Sequence, residues 1–569
     1  MLRHHPAAST IATVLPGLNR LRHYPAAWLR GDVVAGITVA AYLIPQCMAY
    51  GELAGVGAIV GLWAILPPMV LYALLGSSPQ LSVGPESSTA VMTAAAVAPM
   101  VATYGSDYQV TAALLACLVG LLCLVGYIAR LGFLADLLSK PILIGYMAGV
   151  AVLMVVGQLG KVSGVPIQSD SIGGAVYDFL SHLSQAHLPT LTLSAFVLLF
   201  LFTVQSRFPT APGPLLAVLL SAVAGWLFNL EQQGVAVVGE IAAGLPALQL
   251  PLLPTEQVMH LLAAAVGVAI VGYSDNVLTA RTFATRNRYQ PIDANQELLA
   301  LGIASLGTGL MQGFPISSSA SRAAIGDAVG SKSQVFSLVA FGVVLGVLLF
   351  LRPVLALFPT AALGAIVIYA ATKLIDIPEF QRLRGFRQGD FVLAVATTVG
   401  VLATDMLVGV AIAVGLSVIE LFARVARPHD AVMGKVPDLA GLHDIKDWPG
   451  ATTIPGLVIY RYDAPLFFAN VTDFKRRALE AIDAETAPVE WFVLNAEAIA
   501  EIDITAADML MELYDELAAR QIIFALARVK QDLYAQLRLS GLLSRIGPDH
   551  IFFTLPSAIQ GFQQRSRPK

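Results

Sequence analysis

Long apolar runs dominate the chain from Asp32 to Arg424, whereas charged residues return at the density of a soluble protein after Pro428. A run of roughly 20 apolar residues can cross a hydrocarbon core of about 30 Å. We predict fourteen crossing or half-crossing segments, with approximate centres at Ala41, Leu66, Ala94, Leu118, Ala151, Leu198, Ala222, Val268, Ser305, Ala324, Gly342, Gly364, Ala396 and Ala413. The pattern predicts an α-helical polytopic membrane protein with a small soluble domain at its C-terminus.

The same change in composition predicts three regions: a cytosolic N-terminal segment (1–30), a transmembrane domain (31–427) and a linker with a cytosolic domain (428–569). Charged residues make up 13% of the 569-residue chain, where a soluble domain carries about a quarter. The net charge of −4 gives no argument for a nucleic-acid partner. Neither a CxxC motif nor a phosphate-binding GxxxxGK[ST] motif is present, which disfavours a metal cluster and a primary pump.

Basic residues concentrate in alternate loops, and this asymmetry predicts the orientation. They are Arg20, Arg22, Arg30, Arg130, Lys140, Arg207, Arg281, Arg286, Arg288, Lys373, Arg382, Arg384, Arg387, Arg424 and Arg427. Lys161 and Arg352 are isolated exceptions in the opposite loops. With an even number of segments, both termini and the C-terminal domain are expected in the cytosol, with the protein in a bacterial inner membrane.

The third and tenth segments are short and rich in Gly, Pro and Ser. One contains Leu81–Thr89 and the other Gly313–Arg322, and in each a proline leads into a hydroxyl-rich helix start. Irregular backbone at membrane depth must line a cavity or be buried in protein. Each half-helix presents free N–H groups and a partial positive charge at its N-terminus, so two such ends facing each other suit an anion.

A spacing of 230 residues separates Pro85 from Pro315 (315 − 85 = 230), and it also carries Pro45 onto Asp275 (45 + 230 = 275). Seven segments then separate equivalent positions, so the two halves would insert with opposite topology. Interrupted helices at corresponding positions of two inverted halves mark the binding site of many transporters.

Charged residues inside the membrane are candidate functional groups, because their burial is costly. Arg322 could attract an anion, or it could form an ion pair with Asp327 or Glu86 that fixes helix packing. Asp275 is the one acidic residue identified deep in an apolar span. With Thr279 it suits a sodium ion, alone it suits a proton relay, and its structural alternative is an ion pair with Arg322 or Arg281.

Polar side chains in the first segment give a further candidate. Gln46 and Tyr50 lie four residues apart after Pro45, so Gln46 could donate its amide to a substrate oxygen or bond to a neighbouring helix. The serines from Ser317 to Ser321 could cap the tenth segment or allow close helix packing.

Several motifs in order resemble the sulfate permease family of anion transporters over nearly the whole chain. They are Leu43–Tyr50, Gly76-Ser77-Ser78, Leu81–Pro85, Gly313–Ile316, Ser321-Arg322 and Asp463–Asn470. The resemblance implies a seven-plus-seven inverted repeat, with a core domain (segments 1–4 and 8–11), a gate domain and homodimers. It implies an anion site lined by Gln46, Tyr50, Ser88, Thr89, Ser319, Ala320, Ser321 and Arg322. Asp275 matches an acidic residue that the family associates with cation coupling.

The C-terminal region alternates predicted strands and helices, which favours a small α/β domain. The strands are Gly456–Arg461, Glu490–Asn495 and Ile522–Ala527, and a helix from Thr505 to Arg520 is capped by Asp503 or Thr505. The domain resembles the STAS domain, in which a Ser or Thr at the position of Thr505 can be phosphorylated. The glycine that usually follows is absent here, which favours capping. We expect a regulatory module that could bind a protein or a nucleotide.

These features predict a secondary active transporter of small inorganic or organic oxyanions, with sulfate uptake coupled to H⁺ or Na⁺ by an elevator-like motion. The alternatives are a bicarbonate or dicarboxylate transporter, an uncoupled anion exchanger or channel, and a membrane-bound sensor. We expect no enzymatic activity and no cofactor other than the coupling ion, with Na⁺, if used, at Asp275 and Thr279.

Overall fold

The computed structural model describes residues 15–565 except 137–138, 168, 170, 240, 242–243, 288–290, 405 and 449. Much of the predicted N-terminal segment (1–30) and all of Arg288 therefore lie outside the described residues. The chain forms two compact units, Met1–Ser417 and Val418–Lys569. The division lies within the last membrane helix, before the boundary at 427 that composition predicts.

All fourteen predicted centres lie inside helices of the structure, which we number as segments 1 to 14. They are Leu29–Leu53, Ala58–Leu75, Ser87–Tyr104, Tyr108–Ile128, Lys140–Ser163, Leu188–Arg207, Gly213–Leu227, Thr255–Asn287, Ala294–Leu310, Ala320–Val329, Val335–Phe350, Thr360–Leu374, Gln388–Ala403 and Met406–Ala426. A short helix precedes segment 1 at Pro16–Arg22, and others join later segments at Ile172–Ser181, Arg352–Ala356 and Ile377–Phe386. The predicted polytopic helical fold is confirmed.

Length sets segment 10 apart from the full crossings, but it does not set segment 3 apart. Within the described residues, seven helices are long and apolar enough to cross a membrane, and three more apolar helices are shorter. Segment 10 has 10 residues, which span about 15 Å, or half of a hydrocarbon core. Segment 3 has 18 residues and contains Pro99. We call segment 3 (Ser87–Tyr104) the first half-helix and segment 10 (Ala320–Val329) the second half-helix.

A two-stranded antiparallel ladder joins the lead-ins of the two half-helices. Val83 pairs with Ser318 and Gly84 with Ser317, and the N–H of Ser319 donates to the Ser82 carbonyl at 2.9 Å. The ladder satisfies main-chain groups that could find no water inside a membrane. Its antiparallel sense is the one that an inverted repeat requires.

The spacing of the two prolines does not mark equivalent positions, so the sequence-based offset of 230 is wrong. The half-helices start 233 residues apart (320 − 87 = 233) and the strands 234 apart (317 − 83 = 234). The difference arises because Pro85 follows its strand, whereas Pro315 precedes the equivalent strand. The equivalence of Pro45 with Asp275, which rested on the offset of 230, falls with it.

The membrane unit divides into the core and gate domains that the family resemblance implies. In the core, segment 9 packs along segment 4 and segment 11 along segment 1. In the gate, segment 5 packs against segments 12 and 13. Close approach within the core requires small residues: a Cβ on Gly61 would lie 1.9 Å from the Cys47 carbonyl oxygen.

The C-terminal unit contains a six-stranded sheet. In sheet order its strands are His443–Asp444, Asp430–Gly434, Leu457–Tyr462, Trp491–Asn495, Ile523–Ala527 and Ile551–Phe552. The last four strands are mutually parallel and the first two pairings are antiparallel. Helices accompany them at Val471–Asp483, Ile504–Ala519, Gln531–Leu539, Leu542–Ile546 and Leu555–Arg565. The predicted α/β domain is confirmed, and each of the three predicted strands starts one residue later than expected.

Asp503 caps the helix Ile504–Ala519, and the capping role considered for Thr505 is wrong. One Asp503 carboxylate oxygen accepts the Ala506 N–H at 2.7 Å, and the other accepts the Phe468 N–H at 2.8 Å. Thr505 lies in the first turn and is exposed. In the same unit, burial and the neighbouring Asp430 carboxylate raise the pKa of Tyr460, so its hydroxyl remains a donor to Asp430 at 2.9 Å.

Candidate functional site

The ladder of the two lead-ins brings the starts of the two half-helices together. The residues that precede them, Glu86 and Ser319, are extended, and neither side chain caps its helix in the structure. The first N–H groups of an α-helix have no partner within the helix. Since both helix dipoles also place positive charge at these ends, the arrangement is electrostatically suited to an anion.

Buried polar side chains fix the lead-in of the first half-helix. The Gln334 amide donates to the Ser78 carbonyl at 3.0 Å and to the Leu81 carbonyl at 2.9 Å. A side chain at Gly84 would have to displace Ile65, because a Cβ there would lie 1.8 Å from Cδ1 of Ile65. The irregular backbone is therefore held in one position by contacts from other segments.

Glu297 is a second buried carboxylate, which the sequence analysis missed when it singled out Asp275. Its side chain is fully buried and accepts hydrogen bonds from four donors. These are the Tyr72 hydroxyl (3.0 Å), the Ser77 N–H (2.9 Å), the Ser77 hydroxyl (2.6 Å) and the Asn276 amide (2.6 Å). The network links segments 2, 8 and 9 to the first lead-in and gives the Gly76-Ser77-Ser78 motif a structural role. The sequence feature that could have revealed this residue is a glutamate within the otherwise apolar ninth segment.

Asp32 fixes the turn after the second half-helix in a similar way. It is fully buried and accepts the N–H groups of Lys332 (2.6 Å) and Ser333 (3.2 Å) and the Ser333 hydroxyl (2.7 Å). The Tyr24 hydroxyl donates to the same carboxylate at 2.9 Å. Burial and this carboxylate raise the pKa of Tyr24 to about 12, so it remains a donor at neutral pH.

Arg322 is fully buried and joins the second half-helix to the first. Its Nη1 donates to the Pro85 carbonyl at 2.9 Å and to Gln46 Oε1 at 3.2 Å, and its Nε donates to Ser82 Oγ at 3.3 Å. Its Nη2 is buried and has no hydrogen-bond partner among the described residues. The guanidinium therefore braces the site and still offers one buried donor.

The ion pair that the sequence predicted as an alternative role for Arg322 exists with Glu86, at 3.8 Å from Nη1 to Oε2. Asp327, the other partner considered, instead accepts hydrogen bonds from Gln80 at 3.0 Å and Asn287 at 3.1 Å.

Gln46 connects Arg322 to Tyr50. Its amide oxygen accepts from Arg322, and its amide nitrogen donates to the Tyr50 hydroxyl at 3.0 Å. Both side chains are buried in segment 1. Gln46 thus bonds to the second half-helix, as the interhelical alternative predicted, and connects Tyr50 to the guanidinium.

The hydroxyl residues of the two half-helix starts differ in exposure. Ser88 is buried and its Oγ has no partner in the described part of the chain, and the Thr89 hydroxyl donates to the Glu86 carbonyl at 3.1 Å. Ser319 and Ser321 bond to each other at 3.1 Å. Ala320 and Ser321 are exposed, so the second half-helix start is accessible from outside the protein.

Asp275 ties segment 8 to the second lead-in. Its carboxylate accepts from Ser317 Oγ at 3.2 Å, and its carbonyl accepts from Ser318 Oγ at 3.4 Å. Thr279 lies one turn further along the same helix and is buried. The cation-coupling role of these two residues stays a prediction. Thr505, the regulatory candidate from the sequence, lies in the C-terminal unit and not in the membrane unit.

Comparison with known families assigns most of the membrane unit. The sulfate permease family model matches residues 29–397, and a STAS domain model matches 449–558. The chain belongs to the sulfate permease family. The predicted resemblance and its C-terminal STAS domain are therefore confirmed.

Relatives match over nearly the full length. A probable sulfate transporter of Mycobacterium tuberculosis is 51% identical over 98% of this chain and 99% of its own. The chloroplastic sulfate transporter 4.1 of Arabidopsis thaliana is 31% identical over 97% of this chain and 82% of its own.

Solved structures share the fold. The murine Slc26a9 anion transporter superposes with a TM-score of 0.88 at 22% identity, covering 100% of this chain and 96% of that one. The transmembrane domain of the cyanobacterial bicarbonate transporter BicA gives a TM-score of 0.61 at 25% identity, covering 68% of this chain and 98% of that domain.

Proposed function

We propose that the protein is a secondary active transporter of small oxyanions, with sulfate as its principal substrate. The observation that supports this most is the pair of uncapped half-helix starts, held together by the Val83–Gly84 and Ser317–Ser318 ladder and braced by Arg322. Main-chain N–H groups from both starts and the free Nη2 of Arg322 would bind the anion, with Gln46, Tyr50, Ser88, Thr89, Ser319, Ala320 and Ser321 around it.

Sulfate is favoured over other oxyanions by the relatives, whose names describe sulfate transporters in a bacterium and a plant at 51% and 31% identity. Bicarbonate is the second candidate, because the BicA membrane domain has the same fold. A tetrahedral dianion accepts more hydrogen bonds than a planar monoanion, and donors at two helix starts and a guanidinium suit the former.

The proposed mechanism moves the core domain past the gate domain, so that the site opens alternately to each side. The ladder makes both half-helix starts part of one body, so they would travel together with the anion. Asp275, tied to the second lead-in through Ser317, would couple this motion to a cation. The coupling cation would be a proton on Asp275 or a sodium ion bound by Asp275 and Thr279.

We further propose that the protein is a homodimer of the bacterial inner membrane with both termini in the cytosol. Basic residues in alternate loops support this orientation. The STAS domain would act as a regulatory module that binds a protein or a nucleotide. No enzymatic step is assigned to either unit.

Counterflow into proteoliposomes tests the proposal. Proteoliposomes that contain the purified full-length protein are loaded with unlabelled sulfate. Their uptake of labelled sulfate, bicarbonate and dicarboxylates is then compared. We expect the greatest accumulation for sulfate; no flux of any anion would favour a sensor instead. In the Asp275→Asn variant, uptake should lose its dependence on a proton or sodium gradient. Retained dependence would contradict the coupling role of Asp275 while leaving anion transport intact.

A further inference from the structure

Glu86 places a carboxylate at the start of the first half-helix, beside the main-chain donors that suit an anion. Its Oε1 accepts the Ser87 hydroxyl at 3.0 Å. Its Oε2 is buried, lacks a hydrogen-bond partner among the described residues and lies 3.8 Å from Nη1 of Arg322. In this structure Glu86 is therefore a counter-charge for the guanidinium.

An ionised Glu86 and a bound oxyanion would compete for the same positive groups. Both would lie near the first N–H groups of one half-helix and near Arg322, and like charges at such separations repel strongly in a site poor in water. A protonated Glu86 removes the repulsion and turns an acceptor into an O–H donor. The unpartnered Oε2 is the atom that such a proton would occupy.

We propose that Glu86 takes up a proton from solution when the anion binds, and that this protonation is separate from the coupling role of Asp275. The proton moves to Oε2, the neutral carboxyl donates to an anion oxygen, and the Arg322 charge is released from Glu86 to the anion. This inference rests on the proposed function, because it requires an anion at the half-helix starts. It favours oxyanions, which accept a hydrogen bond, over anions that accept one weakly.

The titratable and charged groups around Glu86 come from three other elements. Arg322 belongs to the second half-helix and Asp275 to segment 8, while Tyr42, Cys47 and Tyr50 belong to segment 1. When it is ionised, Asp275 adds a second negative charge, and two ionised carboxylates beside a dianion are disfavoured. Because interacting carboxylates titrate as a pair, the experiment must include a variant of each.

The structural alternative is a helix-dipole partner. An acidic residue at a helix start is stabilised by the dipole without any ligand. In that case replacing Glu86 by Gln would lower stability and leave the pH dependence of anion binding unaltered. The proposal predicts the opposite for the binding curve.

Equilibrium binding of labelled sulfate to the purified full-length protein separates the two roles. If one proton is taken up per anion, the wild-type affinity should fall by up to about tenfold per pH unit above the range in which Glu86 is protonated. The Glu86→Gln variant, which mimics the protonated state, should bind at about pH 8 as tightly as the wild type does at low pH, with a nearly flat profile. Glu86→Asp, which keeps a carboxylate, should keep the slope, and so should Asp275→Asn.

Proton uptake gives a readout that needs no variant. Sulfate mixed with the wild-type protein in a weakly buffered indicator solution should raise the pH by the equivalent of about one proton per bound sulfate. Binding without proton uptake, or a slope that survives in Glu86→Gln and disappears in Asp275→Asn, would overturn the role of Glu86 and leave anion transport standing. Failure of the wild type to bind sulfate, bicarbonate or a dicarboxylate would overturn the proposed function and, with it, this inference.

Discussion

Lys161 donates to Glu52 across the boundary between the gate and core domains. Its Nζ lies 2.8 Å from Glu52 Oε2 and 3.3 Å from the Glu52 carbonyl, while Glu52 Oε1 accepts the Ala58 N–H at 3.0 Å. Lys161 was an isolated exception to the loop asymmetry. Its charge is neutralised by a partner at the end of segment 1, on the side of the membrane opposite to the start of that segment.

Lys161→Met should ease the proposed sliding of the core past the gate, because that motion would have to separate Lys161 from Glu52. Both side chains are partly exposed (34% and 23%), so the pair stabilises the contact by about 1 kcal/mol or less. That corresponds to an equilibrium shift of up to about fivefold. We expect a matching rise in the rate at which an impermeant thiol reagent, added on this side, labels a cysteine at position 320.

The labelling is done after replacement of Cys47, Cys117 and Cys123, so that only the introduced thiol reacts. Lys161→Met leaves the Glu52 bond to Ala58 intact, which makes it cleaner than a change at Glu52. Lys161→Arg is the matched control and should label like the parent. Equal rates in all three proteins would show that the ion pair does not restrain this motion.

Arg322→Ala should abolish most sulfate uptake, while the protein still inserts. Arg322→Lys should recover little, because an ammonium cannot reproduce the three bonds to Pro85, Gln46 and Ser82. Loss of hydrogen bonds to a charged group costs about 1.5–3 kcal/mol, which is roughly a 10- to 150-fold loss in uptake rate. Initial rates in proteoliposomes at matched protein content test this, and unchanged flux in Arg322→Ala would make the arginine purely structural.

Glu297→Gln should destabilise the membrane unit by about 3 kcal/mol, because donors from Tyr72, Ser77 and Asn276 lose a charged acceptor in a fully buried site. The midpoint of thermal unfolding in detergent measures the effect. Glu379→Gln is a matched control, since its ion pair with Lys140 is exposed (58% and 24%) and contributes about 1 kcal/mol or less. Similar midpoints for the two variants would contradict the structural role of Glu297.

Asp503→Ala should weaken the start of the helix Ile504–Ala519 by about 1 to 2 kcal/mol, because its carboxylate caps the helix and also holds the Phe468 N–H. Hydrogen exchange of the first-turn amides in the full-length protein should rise accordingly. Thr505→Ala, two residues away and exposed, should leave exchange almost unchanged. The reverse order would restore Thr505 as the cap.

Hydropathy was sufficient to locate the membrane helices, because every segment must satisfy its main-chain bonds internally and present an apolar surface. The hydroxyl-rich helix starts near Pro85 and Pro315 could also be predicted, since proline and serine have local backbone preferences. The alignment of the first half of the chain with the second could not be predicted. Only the strand pairing of Val83 with Ser318 reveals that the second half places its proline before the strand.

Contacts between residues far apart in the chain account for most of what sequence reasoning missed. Glu297 meets Ser77 across 220 positions, and Lys161 meets Glu52 across 109. Each residue alone is a polar group in an apolar run, and several partners would satisfy it equally well. For Arg322 the sequence offered three acidic partners, Asp327, Glu86 and Asp275, of which packing selected Glu86.

The donors at the two half-helix starts are main-chain groups, and this protects them from mutation. No single amino-acid replacement, except by proline, deletes an N–H from the backbone. Side chains such as Ser88 and Glu86 lie beside these donors and, unlike them, can be altered by a single substitution. In such a site the main chain provides the capacity to bind an anion, and the surrounding side chains determine which anion binds. Selectivity can therefore change by substitution of side chains while the main-chain donors stay in place.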